Sequence, residues 1–281
     1  MTLVVLSHFQ AKALLHARQQ NECVVRSSFD LGMTQREIEV VPAGVLLPDG
    51  SCLAWNKVQL IGDNDSLCFQ ITNGEVEPIR GFSEQTQRTH QLYPTRSAPA
   101  LLISGFTMHR IRDVTPEEGA REMVKALGPI RGRVLDTATG LGYAAIEAAR
   151  SADEVVTIEL DPVAQEMARL NPWSQALFTH DNIRQRIGNS AELVHELPEQ
   201  HFSCVIHDPP AINLAGDLYS ASFYATLHRV LQKGGRLFHY IGDPESASGS
   251  RVTKGVKQRL AEAGFRKVVP KPAAFGLLAY K

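Results

Sequence analysis

The residues Asp136-Thr137-Ala138-Thr139-Gly140-Leu141-Gly142-Tyr143 decide how this chain reads. They begin within a short apolar run, Val134 to Ala138, and lead into a helical segment that extends through Ala149. Glycines at a strand-to-helix junction permit a sharp turn and leave no Cβ to block a ligand approaching the backbone. Outward from this stretch, short apolar strands alternate with helical segments: Val155 to Leu160, a helix from Pro162, Cys204 to His207, a helix through Leu231, and Arg236 to Ile241. Repeated βα units build a parallel sheet with helices on both faces. The last two apolar runs, Phe265 to Val269 and Phe275 to Tyr280, are joined by a short Pro-containing link without a helix, which predicts an antiparallel closing pair. The expected fold is α/β: a Rossmann-like, seven-stranded, mostly parallel sheet with a C-terminal antiparallel hairpin.

Before this region the pattern differs. After a helix-like stretch around Phe9 to Gln19, the runs Val24 to Phe29, Glu37 to Leu47 and Cys68 to Ile71 are rich in β-branched and apolar residues. The turn formers Leu47-Pro48-Asp49-Gly50 and Thr72-Asn73-Gly74-Glu75 separate them, and Asn-Gly is a strong hairpin signal. Ser83 to Arg96 is polar and reads as a connecting loop, followed by a buried strand at Ala100 to Ile103. Thr115-Pro116-Glu117-Glu118 opens a helix, with Thr115 as cap, proline at the first helical position and Glu118 closing a capping box. Two domains are therefore expected: a small β-rich N-terminal domain over residues 1–112 and the α/β domain over residues 113–281. The first suits substrate binding, a lid or a homodimer contact. Ser104-Gly105-Phe106-Thr107-Met108-His109 is its candidate lid.

Composition narrows the function classes. A 43% hydrophobic, 21% charged chain of 281 residues can bury a sizeable core and does not read as disordered or membrane-spanning. The net charge of -1 gives no general attraction to polyphosphate. Acidic residues slightly outnumber basic ones over Met1 to Gly128, whereas Arg251 to Lys281 is basic, with Glu262 its one carboxylate. RNA is thus admitted as a partner but not favoured over a small molecule or a protein. Cys23, Cys52, Cys68 and Cys204 lack metal-ligand or disulfide spacing and read as reduced, buried thiols, and no metal site is expected. The apolar run within Met1 to Gln10 has no basic flank and is interrupted by His8, so a cytoplasmic location is expected.

Glu159 ends the second strand about 20 positions after Gly140, where an acidic side chain reaches ribose hydroxyls in doubly wound folds. Gly140-x-Gly142-x-x-Ala145 also fits a dinucleotide fingerprint. Asp136 argues against that, because its carboxylate would repel a pyrophosphate and suits a cationic ligand. These residues resemble the class I S-adenosylmethionine-dependent methyltransferase family, whose glycine loop is Asp/Glu-x-x-x-Gly-x-Gly and whose second strand ends in an acidic residue. The resemblance covers about residues 113–281. It implies S-adenosylmethionine as cofactor, held by Asp136, Thr137, Ala138, Gly140, Gly142 and Tyr143 of the glycine loop and by Glu159 and Leu160. It adds Asn189 and Ser190, where Gly188-Asn189-Ser190-Ala191 replaces the family's Gly-Asp-Ala, and His207 and Asp208 at the fourth strand.

His207-Asp208-Pro209-Pro210 resembles the Asp/Asn-Pro-Pro-aromatic motif of amino-group methyltransferases, with Ala211 in place of the aromatic. There the carboxylate and a proline-fixed carbonyl orient the target nitrogen, which is catalysis by positioning. Asp208, Tyr219 and Tyr240 are the candidate catalytic residues, a tyrosine offering a cation–π face to the sulfonium. Phe223, Tyr224 and His239 lie nearby and read mostly as core. Methyl transfer to an amine or other heteroatom of a small-molecule or protein acceptor is the leading expectation. The alternative keeps the fold and changes the bond broken: a β-rich module before such a domain also resembles the spermidine synthase family. Transfer or cyclisation of the aminopropyl or aminocarboxypropyl arm would then release methylthioadenosine, although the extended acidic run of polyamine sites is absent. An RNA methyltransferase and a non-enzymatic cofactor binder are the remaining readings.

Overall fold

The computed structural model describes residues 3–212, 215–243 and 246–281, so Met1 and Thr2 of the first apolar run lie outside the described residues. The chain divides into two compact units, one of Met1–Pro116 with Val163–Gln175 and the other of Glu117–Pro162 with Ala176–Lys281. The second segment of the first unit follows the start of the helix at Pro162, so the break is not a single cut in the sequence.

The first unit holds, among the described residues, three small antiparallel sheets, helices His8–Gln19 and Trp55–Gly62, and all but the first residue of helix Pro162–Arg169. Helix His8–Gln19 starts at a capping box, in which the Ser7 side chain accepts the Phe9 N–H and Gln10 accepts the Ser7 N–H. At the Phe69–Thr72 and Glu75–Pro78 hairpin, Asn73 and Gly74 both take positive φ, 52° and 74°, the turn the Asn-Gly pair predicts. The polar stretch Ser83 to Arg96 is not a loop, because it contains strand Arg88–Tyr93, paired on both sides. His90 and Leu92 point inward while their neighbours are less buried, so a half-solvated strand carries enough polar residues to read as loop. Helix Trp55–Gly62 was likewise missed; Val58 and Ile61 bury one face of it against Leu14, Leu53 and Phe69. Ser104 and Gly105 form the tip of a hairpin between Ala100–Ile103 and Phe106–Thr107, and His109 Nδ1 accepts the Leu101 N–H at 3.2 Å. Trp173 anchors its turn by donating to the Leu31 carbonyl.

The second unit carries a seven-stranded mixed sheet. We label its strands β1 (Arg133–Asp136), β2 (Glu154–Glu159), β3 (Ile183–Ile187), β4 (Phe202–His207), β5 (Leu231–Tyr240), β6 (Lys267–Lys271) and β7 (Gly276–Tyr280). Their order is β3-β2-β1-β4-β5-β7-β6. The first five are parallel, and β7 runs antiparallel to both β5 and β6. The expected Rossmann-like α/β sheet and its closing antiparallel pair are therefore present. β3 was not delimited in the sequence because Arg184, Gln185 and Arg186 dilute its apolar signal. As an edge strand it pairs those arginines with Glu154 and Glu196.

Helices connect the strands: α1 (Pro116–Leu127), α2 (Tyr143–Ala149), α3 (Pro162–Arg169), α4 (Ala176–Thr179), α5 (Ser190–Leu193), α6 (Ala221–Val230) and α7 (Ala247–Glu262). α7 also escaped the sequence reading, because its apolar stripe, Val252, Val256 and Leu260, is one residue wide in a basic segment. That stripe packs on a core that includes Leu237, Leu277 and Tyr224. Among the described residues no helix is long and apolar enough to cross a membrane. The four cysteines are unpaired; Cys68 and Cys204 are buried, whereas Cys23 and Cys52 are exposed, contrary to the uniform burial expected of them.

This topology fixes where a ligand can enter. The chain runs from β1 outward to β3, then returns across the sheet to β4 on the other side of β1. At such a reversal the loops leave in opposite directions and open a crevice at the carboxyl ends of the strands.

Candidate active site

Three carboxylates stand at that edge. Asp136 ends β1, Glu159 ends β2 and Asp208 follows β4. Asp136 is fully buried; its Oδ2 accepts the Thr157 hydroxyl at 2.8 Å. Since that donor hydrogen is spent, the 2.6 Å contact between Thr157 and Thr139 must be donated by Thr139. Glu159 takes one backbone N–H on each oxygen, Gly140 at 2.8 Å and Asp161 at 2.9 Å. Burial pushes the Asp136, Glu159 and Asp208 carboxyls up to about 7 each, and Glu159 acting on Asp136, and Asp136 on Asp208, add to the rise. The repulsion on Glu159 itself comes from Asp161, and among the described residues no cation is an influence on any of the three.

The glycine turn leaves room beside this cluster. Gly140 (φ 52°) and Gly142 (φ 80°) are both left-handed, but for different reasons. A Cβ on Gly140 would meet nothing within 4 Å, whereas one on Gly142 would come 2.7 Å from the Leu177 side chain. Gly140 therefore faces open space, and Gly142 allows close packing of α2 against α4. Leu160, next to Glu159, leaves 44% of its surface exposed, as does Ile187 at the end of β3.

A second layer ties the strand ends together. His207 is buried; its Nε2 faces the Leu218 carbonyl at 2.9 Å and must donate, so Nδ1 accepts the Thr137 hydroxyl at 2.6 Å. Burial lowers the imidazole to about 3, which keeps it neutral. Ser190 donates to the Thr137 carbonyl at 2.6 Å. Asn189 caps α5 by accepting the Ala191 N–H, and Tyr143 is buried at the start of α2. Thr137, Ser190 and His207 thus have their polar groups engaged with one another and with the fold, and Ala138 contributes backbone to the turn.

Tyr219, 5% exposed, donates to the Pro210 carbonyl at 3.1 Å. Asp208 and Tyr240 both raise its hydroxyl pKa after burial, which puts the three expected catalytic side chains in one neighbourhood. Tyr224 and His239 join through a 2.8 Å hydrogen bond, and the His207 and His239 rings lie 4.4 Å apart. Thr139, Thr157 and Arg259, whose Nε donates to the Tyr219 carbonyl at 2.7 Å, were missed by sequence reasoning. Thr157 had a readable signal, since it shares the face of β2 that carries Glu159. Arg259 had none, because its partners lie far away in sequence.

Sheet order, glycine turn and acidic strand ends together define a Rossmann-like protein with the class I S-adenosylmethionine-methyltransferase-like fold. No protein-family model matches the chain. It is 33% identical over 287 residues to uncharacterized protein MJ1233 of Methanocaldococcus jannaschii, a match covering all of this chain and 96% of that protein. The chain belongs to the family of MJ1233.

A second relative, polyamine aminopropyltransferase 2 of Streptomyces coelicolor, is 32% identical over 125 residues, which span 42% of this chain and only 23% of that protein. Among solved structures, a spermidine synthase in complex with the transition state analogue AdoDATO superposes with a TM-score of 0.60 at 18% identity, covering 74% of this chain and 76% of that one. Spermidine synthase from Thermotoga maritima gives 0.57 at 18% identity, covering 74% and 75%. These comparisons overturn the expectation of methyl transfer, including its RNA form, in favour of the alternative beside it. Glycine loop and acidic strand end are shared by both chemistries, so their spacing did not separate them.

Proposed function

We propose that this protein is a transferase that moves an aminopropyl group from decarboxylated S-adenosylmethionine to an amine and releases methylthioadenosine. The observation that carries this reading is the group of three carboxylates, Asp136, Glu159 and Asp208, raised to about 7 with no cation among the influences on them. Such a cluster is costly in a free protein and is relieved by a cationic ligand. A donor with a sulfonium and an ammonium but no carboxylate suits it. Intact S-adenosylmethionine would bring a further negative charge into the cluster.

The residues divide the work. Glu159 oxygens keep lone pairs for the ribose hydroxyls after accepting Gly140 and Asp161. Open space at Gly140 lets the nucleoside approach the backbone. Exposed Leu160 and Ile187 offer apolar contact to a base, and the second lone pair of the Asn189 oxygen remains for its amino group. Asp136 faces the positive arm. Asp208 orients the acceptor nitrogen, whose lone pair attacks the aminopropyl carbon bonded to sulfur. The C–N bond forms, the C–S bond breaks with its electrons passing to sulfur, and the nitrogen proton leaves through the ionised form of Asp208, which the positive donor favours over the protonated one. Tyr219 and Tyr240 line this side with aromatic faces suited to a cation.

The test is to incubate the protein with decarboxylated S-adenosylmethionine and a panel of small diamines, with intact S-adenosylmethionine in parallel. Mass spectrometry should find methylthioadenosine from the decarboxylated donor. No methylthioadenosine with any acceptor, or S-adenosylhomocysteine from the intact donor, would overturn the reading.

A further inference from the structure

The corner Asp208-Pro209-Pro210 presents a carboxylate yet has few means of holding itself. Its two prolines lack N–H groups, so the corner must be fastened through its carbonyls. One fastening is visible: the Tyr219 hydroxyl donates to the Pro210 carbonyl. Tyr219 itself sits in the four-residue 3-10 turn Gly216–Tyr219, too short to be rigid alone.

That turn is gripped at two consecutive carbonyls. His207 Nε2 donates to Leu218 O, and Arg259 Nε, from α7, donates to Tyr219 O at 2.7 Å. The charge of the same guanidinium also acts on the Tyr224 hydroxyl, which contacts His239 Nε2 at 2.8 Å. Gly255, one turn earlier on α7, leaves space for it, since a Cβ there would lie 3.0 Å from Arg259 Nη1. Arg259 is not among the influences on the Asp208 carboxyl, so its connection to that residue is mechanical, through Tyr219 and Pro210.

We propose that Arg259 is a positioning residue: by clamping the Gly216–Tyr219 turn it fixes the Pro210 carbonyl and so aims Asp208. This rests on the proposed aminopropyl transfer for its kinetic consequence, but not for its structural one. The planar guanidinium aims its Nε–H at the Tyr219 carbonyl, whereas a lysine ammonium keeps the charge without that fixed geometry.

The experiment compares Arg259→Lys, Tyr219→Phe and the double variant, after thermal unfolding has shown each to be folded. Each single change should lower kcat at least about tenfold, since small misplacements of reacting groups are costly, while KM for the donor stays within about twofold. The double variant should be no slower than the slower single one, because both act along one path. Hydrogen exchange in the free protein should quicken at Leu218 and Ser220, whose amides close this turn, and stay unchanged in β4. Unchanged exchange at the turn overturns the clamp whatever the reaction is. Full kcat in Arg259→Lys, or losses that multiply in the double variant, overturns its role in turnover. Wild-type protein that makes no methylthioadenosine, alongside quickened exchange, refutes the reaction and leaves the clamp standing.

Discussion

The Gly140 amide donates to Glu159 Oε2 at 2.8 Å, so the turn after the first strand of the sheet is fastened to the end of the second. Glu159 therefore shapes the glycine turn as well as filling the ribose-binding role proposed for it. Glu159→Gln should weaken methylthioadenosine about tenfold or more, the scale of a hydrogen bond to a charged group. Asp136→Asn should barely change it, because that nucleoside has no ammonium arm. Calorimetry with methylthioadenosine separates the two, and equal losses would contradict the division of roles.

Asp208→Asn removes the proposed proton acceptor and retains size. Turnover should fall about a hundredfold or more, the usual range for losing a positioned acid–base group, with donor affinity within about threefold. Steady-state kinetics beside equilibrium binding decides this; unimpaired turnover removes Asp208 from the mechanism.

Asp136 gives a pH signature. Its folded carboxyl titrates near 7 because it is buried, while an unfolded aspartate titrates near about 4. The folded chain retains a proton that the unfolded chain releases, so this group's stabilisation is complete below about pH 4 and is lost as pH rises to about 7. His207 and His239, lowered by burial, act in the opposite sense, so the observable is a difference between proteins. The Tm of Asp136→Asn, measured relative to wild type, should climb from pH 4 to 7 and level off above. A flat difference would mean that Asp136 is already ionised at low pH.

The two glycines of the turn should behave differently. Gly140→Ala costs about 1–2 kcal/mol of backbone strain and weakens the ligand that approaches there. Gly142→Ala carries the same strain plus a clash with Leu177, and Leu177→Ala should recover part of the loss. Denaturant unfolding of the four proteins checks this.

Lys281 closes the end of α6. Its ammonium lies within hydrogen-bonding distance of the carbonyls of His228, Arg229 and Leu231, at 2.6, 3.4 and 2.8 Å. Lys281→Met should lower stability by about 1–2 kcal/mol without changing donor binding, as read from urea unfolding and calorimetry.

What the sequence made legible was local. Asp136 through Tyr143, Glu159 and Asp208 could be placed at strand ends because short spacings encode strand, turn and helix directly. β3 and Arg88–Tyr93 were hidden because a strand with one solvated face carries as many polar residues as a loop. α7 was hidden by its narrow apolar stripe. Thr139 and Arg259 act through partners brought near by folding, and no spacing announces them. The chemistry was ambiguous for a physical reason, since a cluster of carboxylates around a sulfonium is compatible with breaking either of two carbon–sulfur bonds.

Pro270 lies in β6, the last strand of the sheet, opposite Leu277 and between Lys267 and Lys271. A proline withholds the amide that a newcomer strand would need, and the flanking ammonium groups repel a like strand from a second molecule. The sheet border is thereby made unattractive for templated growth by a strand of a second molecule.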